Sequence, residues 1–224
     1  MQANPPGTIP TTTSRPARRT AVVVPVRALE GAKSRLGAVL DAEERRELVE
    51  LMLRRTVEAA CATVGVDLVA VVSPDPDALA AGVEAGAEPI AQRSSGLNPG
   101  IAEARTVLGG RADRLLVLPA DLPGITPADI ATLLAAADAA ATDGGPVVAL
   151  APDRHGRGTN ALLLDPPDII EASFGGDSRE AHAGLAAAAG ARYVEAEGVL
   201  ELDVDTPDDL LLVEAIRPEA LHAH

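Results

Sequence analysis

The sequence predicts an α/β domain built on a mostly parallel sheet with a short antiparallel portion. Two observations predict it. Apolar runs of the kind that fill a strand buried on both faces (AVVVPV, VDLVAVVS, LLVL) alternate with helical patterns through the first two thirds of the chain. The apolar run NALLL then returns after a short loop from PVVALA, too soon for a helical crossover, which predicts an antiparallel pair.

Ala21 to Val26 is the first strand, with Pro25 marking its end or an irregularity. A loop, Arg27 to Leu36 (RALEGAKSRL), follows. Asp41 with Glu44 three residues on is a capping box, opening a helix whose apolar face runs through Leu48, Val49, Leu51, Met52, Leu53 and Val57 to about Thr63. Gly65 is read as its C-terminal cap. Val66 to Ser73 is the second strand, an Ala-rich helix runs to about Gly86, and Glu88 to Ala91 is a third strand. A polar loop, Gln92 to Asn98, leads into a helix with Asn98 as N-cap and Pro99 in the first turn. Leu115 to Leu118 is the next strand, and Thr126-Pro127-Ala128-Asp129 starts the helix after it. Pro146 to Ala151 and Asn160 to Leu164 are strands around the loop Pro152 to Gly158. Phe174 to Ser178 (FGGDS) turns into a helix through His182. Short strands at Tyr193 and at Val199 to Val204 precede a final helix opened by Thr206-Pro207-Asp208-Asp209 and running to about Ile216.

Residues 21–216 are therefore one domain, between a Pro-, Thr- and Arg-containing tail at 1–20, read as disordered, and a short tail at 217–224. Tail 1–20 has no apolar core and is not a secretory signal. Hydrophobic residues make up 47% of the 224, so a sizeable core is available, but with one Phe, one Tyr and no Trp it must be aliphatic. That scarcity of aromatics and a net charge of -14 argue against nucleic-acid binding and against attraction to anionic membranes. No run is long enough to span a bilayer. The single cysteine, Cys61, suits a reducing cytoplasm, and its helical setting predicts a small core residue.

Three groups of residues bear chemistry. Asp121 stands between Pro119 and Pro123 beyond a strand end, where open α/β sheets bind ligands; it is either a metal or substrate ligand or a turn carboxylate bonded to nearby N–H groups. Asp203 and Asp205 (LDVD) also precede a Thr-Pro-x-Asp helix start, and either face the same crevice or simply solvate a strand end. Sparse carboxylates of this kind suit Mg²⁺, which completes its shell with water and substrate phosphates. Arg27, Lys33 and Arg35 cluster in the first loop of an otherwise acidic chain, either on a solvated surface or beside phosphates. Cations and carboxylates together at strand ends favour a phosphate–metal site.

PVRALEGAKSRL, VVSPD, GLN, LPADLP, GTNALLL, FGGDS with His182, and LDVDTPDDL occur in this order over residues 21–216. The ordered set resembles the guanylyltransferase family of coenzyme F420 biosynthesis, which activates 2-phospholactate or phosphoenolpyruvate with GTP. The resemblance implies the single-domain nucleotidyltransferase fold of the enzymes that nucleotidylate molybdopterin, and no P-loop motif GxxxxGK[ST] is present. It implies that Lys33 and Arg35 hold the triphosphate, that Asp121, Asp203 and Asp205 carry Mg²⁺, and that Arg27, Gly31, Asp75 and Asn98 line the nucleotide site. It also implies that Thr159, Gly175 and Ser178 take the acceptor. Ser178 reads equally as a helix N-cap, Asn98 as an N-cap, and His182 either as packed or exposed or as facing the acceptor pocket one turn beyond Ser178. The expected partners are GTP and a small phosphorylated carboxylate, in the cytoplasm, with a homodimer left open. An Ala-, Arg- and Gly-rich composition leans toward a high-GC bacterial member and so toward phosphoenolpyruvate as acceptor. Two other readings compete: a nucleotide-sugar glycosyltransferase using Asp203-Val204-Asp205 as a DxD motif, and a regulatory module that binds GTP without turnover.

Overall fold

The Val-rich runs form the middle of a seven-stranded sheet in the computed structural model, which describes residues 18–29, 31–141, 144–196, 198, 200, 202–216 and 221. The strands are β1 (Thr20–Pro25), β2 (Leu68–Ser73), β3 (Glu88–Ala91), β4 (Arg114–Val117), β5 (Val147–Pro152), β6 (Thr159–Asp165) and β7 (Arg192–Glu195). They lie in the order β3-β2-β1-β4-β6-β5-β7. Strand β6 runs antiparallel to both β4 and β5, while every other pairing is parallel. Its reversal brings Thr159 and Asn160, the start of β6, to the edge where β1, β4 and β5 end.

Helices cover both faces: α1 (Ala42–Cys61), α2 (Pro76–Glu84), α3 (Leu97–Leu108), α4 (Pro127–Ala140), α5 (Ser178–Ala188) and α6 (Pro207–Ile216). Side chains alternate along each strand, so β1 divides between two cores. Val22 and Val24 pack with Met52 and Leu53 of α1 and Ile130 and Leu133 of α4. Ala21 and Val23 pack with Ile101 and Ala104 of α3 and Ala186 of α5. Aliphatic side chains together with Met52 make up the buried hydrophobic residues of both layers.

Several sequence expectations meet the structure residue by residue. Asp41 accepts from the N–H groups of Glu43 and Glu44 while Glu44 returns a bond to the Asp41 N–H, completing the expected box. Thr126 and Asp129 cap α4 in the same reciprocal way. Asn98 is not an N-cap. Gly96, at φ 103°, turns the chain so that α3 begins at Leu97, and Asn98 lies inside the first turn. Ser178 is likewise the first residue of α5, with Asp177 before it. Cys61 is exposed rather than in the core: it lies one position beyond buried Ala60, off the apolar face of α1. The strand expected over Val199 to Val204 does not form among the described residues; Leu200 adopts φ 58° and residues 202–205 run without a ladder partner. The first strand starts at Thr20, and Arg19 before it is bonded to Asp113. The tail at 1–17 and most of 217–224 fall outside the described residues.

Replacing Thr126 with Ala removes the hydroxyl that accepts from the Asp129 N–H. A loss of about 1 kcal/mol in denaturant unfolding is expected, with catalytic turnover unchanged because α4 carries none of the candidate site residues.

Candidate active site

Three loops at the carboxyl edge of the sheet meet around one ammonium group. The loop after β1 supplies Lys33, the loop after β4 supplies Asp121, and the segment before α6 supplies Asp205. Lys33 Nζ donates to Asp205 Oδ1 at 2.7 Å and to Asp121 Oδ2 at 3.0 Å. The lysine side chain is 13% exposed, against 30% for Asp121 and 47% for Asp205. Burial opposes the charge on Lys33, but the fields of the two carboxylates and its hydrogen bonds to both outweigh it and raise its pKa.

Local geometry explains how Lys33 gets there. Its backbone is left-handed (φ 50°, ψ 42°), an uncommon state for a residue with a Cβ, and it immediately precedes a 3-10 turn at Ser34–Ala38. Gly31 is also at positive φ (71°), and a Cβ there would meet nothing within 4 Å, so glycine serves the backbone angle rather than a tight contact. Asp75, the N-cap of α2, accepts from the Leu29 N–H at 2.8 Å and so pins this loop from the next strand over.

The two acidic segments are joined directly, the Val204 N–H donating to the Asp121 carbonyl at 3.1 Å. Buried Asp209 accepts from the N–H groups of Asp205 and Thr206 and from the Thr206 hydroxyl, which fixes the turn behind Asp205. Arg154, from the β5–β6 loop, pairs with the other oxygen of Asp209. Asp203 faces Asn160, whose side-chain N–H groups reach Asp203 Oδ1 at 3.4 Å and the Leu200 carbonyl at 2.8 Å. Burial and the neighbouring Asp121 charge raise the pKa of Asp203, against the bond from Asn160. Arg35, 74% exposed, lies 4.0 Å from Asp205 Oδ2. Arg27 is exposed just beyond β1.

Adjacent residues on β6 point to opposite faces, so Thr159 looks away from Asn160. The Thr159 hydroxyl lies 3.1 Å from His182 Nδ1, and His182 Nε2 accepts from the Ser173 N–H at 2.9 Å. Gly175 accepts through its carbonyl from the Ser178 N–H, and Ser178 is buried one helical turn before His182. Asn98 is committed to this turn: its side-chain oxygen accepts from the Phe174 N–H and its NH₂ donates to the Phe174 carbonyl. A cavity of about 340 Å³ opens nearby, between Gly156–Arg157 of the β5–β6 loop and Asp177, Arg179 and Glu180 at the start of α5.

The structure thus brings together Lys33, Arg35, Asp121, Asp203 and Asp205, and sets Thr159, Gly175 and Ser178 in a second group around the start of α5, on the other face of β6. Asp75 and Asn98 have their side chains bonded to the loops that flank these groups. Sequence reasoning missed Asn160, Asp209 and Arg154. The second Thr-Pro-x-Asp start, matched to a capping pattern, was the available signal for Asp209.

The chain matches the family described as guanylyl transferase, CofC-like, over residues 20–216. It belongs to that family. Among curated relatives it is 45% identical over 195 residues to phosphoenolpyruvate guanylyltransferase of Rubrobacter xylanophilus, covering 86% of this chain and 92% of that one. It is 44% identical over 194 residues to the protein of the same name from Sphaerobacter thermophilus, covering 85% and 90%. Among solved structures, a nucleotide-diphospho-sugar transferase from Desulfovibrio desulfuricans G20 superimposes with a TM-score of 0.69 at 17% identity, covering 89% of this chain and 87% of the other. Glucosyl-3-phosphoglycerate synthase from Mycobacterium tuberculosis, solved with Mn²⁺, UDP and phosphoglyceric acid, superimposes at 0.57 with 12% identity, covering 88% and 74%. These neighbours bear out the nucleotidyltransferase fold. This CofC-like chain is a nucleotidyltransferase, and no helix among its described residues is long and apolar enough to cross a membrane.

Burial lowers the pKa of His182 from 6.5 to about 4. Between those values the unfolded chain binds the proton that the folded chain refuses. Stability therefore rises with pH through this window and is lost as pH falls, by up to about 3 kcal/mol. Unfolding curves from pH 7 to pH 4 are expected to show this loss in the parent protein and a shallower one in His182→Gln.

Proposed function

We propose that the protein transfers GMP from GTP to the phosphate of phosphoenolpyruvate, releasing pyrophosphate, in coenzyme F420 biosynthesis. The observation that carries this reading is the convergence of Lys33 with carboxylates from two distant segments at the sheet edge. The names of the relatives favour phosphoenolpyruvate over 2-phospholactate as acceptor. Family membership disfavours both a DxD glycosyltransferase and a GTP-binding module without turnover.

An oxygen of the acceptor phosphate attacks the α-phosphorus of GTP in line. A new P–O–P linkage forms, the bond between the α-phosphorus and the bridging oxygen breaks, and the electron pair leaves with pyrophosphate. Lys33 has three N–H donors and uses two on Asp121 and Asp205, which leaves one for a phosphate oxygen. Arg35, exposed and only loosely held, closes on the triphosphate, with Arg27 and the N–H groups around Gly31 lining its path. Thr159, Ser178 and the backbone at Gly175 receive the acceptor. Asp75 and Asn98 act on the nucleotide side by holding the Leu29 and Phe174 loops in place.

The donor set fits magnesium. Among the described residues, no cluster of three or more His, Cys, Asp or Glu side chains is close enough to hold an ion unaided. Mg²⁺ commonly uses one or two carboxylates and completes its shell with water and substrate phosphates. Asp203 carries a charge disfavoured by its surroundings and, among the described residues, is met by the Asn160 amide and its own backbone N–H rather than by a cation, so Asp121 and Asp203 are assigned to the metal. Asp205, engaged by Lys33 and Arg35, steadies the cations instead. When bound, the ion supplies charge neutralisation and orientation of the reacting phosphates.

Incubation with GTP, Mg²⁺ and phosphoenolpyruvate is expected to release pyrophosphate, and 2-phospholactate is expected to serve less well. Silence with both acceptors would overturn the proposal. Lys33→Ala is expected to lower kcat/KM by about 10²-fold or more, as for loss of a donor aimed at developing charge. Its circular-dichroism spectrum is expected to stay that of the parent.

A further inference from the structure

On the reading that Thr159 receives the acceptor, we propose that His182 is a positioning residue: it fixes the tautomer that turns the Thr159 hydroxyl into a hydrogen-bond donor toward the acceptor's anionic oxygen. Three observations lead there. The backbone N–H of Ser173 can only donate, and it lies 2.9 Å from His182 Nε2, so Nε2 is the lone-pair nitrogen. A neutral imidazole with that acceptor carries its proton on Nδ1. Nδ1 lies 3.1 Å from the Thr159 hydroxyl, so the ring donates and the hydroxyl oxygen accepts.

A threonine hydroxyl has one proton and two lone pairs. With a lone pair occupied by the imidazole, its own proton is free to point at an incoming anion, where charge strengthens the bond. The opposite tautomer would draw the threonine proton toward the ring and present only lone pairs to the acceptor, which repels it. The backbone at Ser173 therefore sets the sense of a hydroxyl on a different strand.

That backbone is held on two further sides. Asn98 binds both the N–H and the carbonyl of Phe174. The Phe174 ring packs edge-on against the imidazole, with centroids 5.3 Å apart and planes at 73°. His182 itself is fully buried, so water does not compete for either ring nitrogen.

The test measures KM for acceptor and for GTP separately in four variants. Thr159→Val is expected to raise acceptor KM about tenfold and to leave GTP KM within about twofold. His182→Gln places an oxygen near Nε2, which keeps the Ser173 bond, but has no donor near Nδ1. It is expected to raise acceptor KM about fivefold or more. His182→Asn places its amide nitrogen near Nδ1 and is expected to recover most of that loss. In Thr159→Val/His182→Gln the second change is expected to add nothing, since the hydroxyl it orients is gone. If Thr159→Val leaves acceptor KM unchanged, the acceptor-site reading fails. If Thr159→Val raises it but His182→Gln does not, or if the two effects multiply, the positioning role fails alone. Long-range ¹H–¹⁵N NMR on the parent protein gives an answer independent of variant folding: a proton on Nδ1 supports the proposal, and one on Nε2 overturns it.

Discussion

The ammonium of Lys33 between Asp121 and Asp205 is the interaction on which the rest of the site depends. Through it three loops separated widely in sequence meet at one group. Bringing these charges out of water costs desolvation that their attraction offsets only with good geometry. The geometry is supplied from outside: Asp75 fixes the lysine loop at Leu29, Asp209 fixes the turn at Asp205, and the Val204 N–H ties that segment to the Asp121 carbonyl. Lys33 also occupies a left-handed backbone state, an arrangement whose strain is commonly tolerated at functional sites. This chemistry draws most of its power from positioning and electrostatics, so rigidity around one cation is what the fold has to deliver.

Strand β6 gives the site its second half. Running against its neighbours, it starts at the edge where β1 and β4 finish. The pleat then sends Asn160 to Asp203 and Thr159 to His182. One dipeptide thus reaches both Asp203, one of the carboxylates assigned to the metal, and the group assigned to the acceptor, on opposite faces of the sheet. The Arg154–Asp209 pair repeats the link from the loop before β6 to the turn behind Asp205.

Much of this was legible in the chain itself. Val-rich runs bounded by proline and glycine marked the parallel strands, since a strand buried on both faces needs no alternation. Capping chemistry marked α1 and α4 because it depends on residues three apart. The pairing of Lys33 with Asp121 and Asp205 was anticipated only as co-location at strand ends. What failed were judgements hanging on a single backbone angle or a one-residue helical phase. Gly96 at positive φ moved the start of α3 and turned Asn98 from a cap into a clamp on Phe174. Leu200 at positive φ stood where a strand was expected, and Cys61 lay one residue off the buried face of its helix. Asn160 carried no local signal, because its role arises only when β6 inserts between β4 and β5.

The central claim is the proposal that Asp121, from the middle of the domain's sequence, and Asp203, from near its end, act on one magnesium ion beside Lys33. The most direct measurement is the Mg²⁺ concentration that half-saturates pyrophosphate release in the parent, in Asp121→Asn and in Asp203→Asn. A rise of about tenfold or more in both variants is predicted, as for loss of groups that hold a metal. A magnesium curve for either variant that superimposes on the parent's would contradict the account.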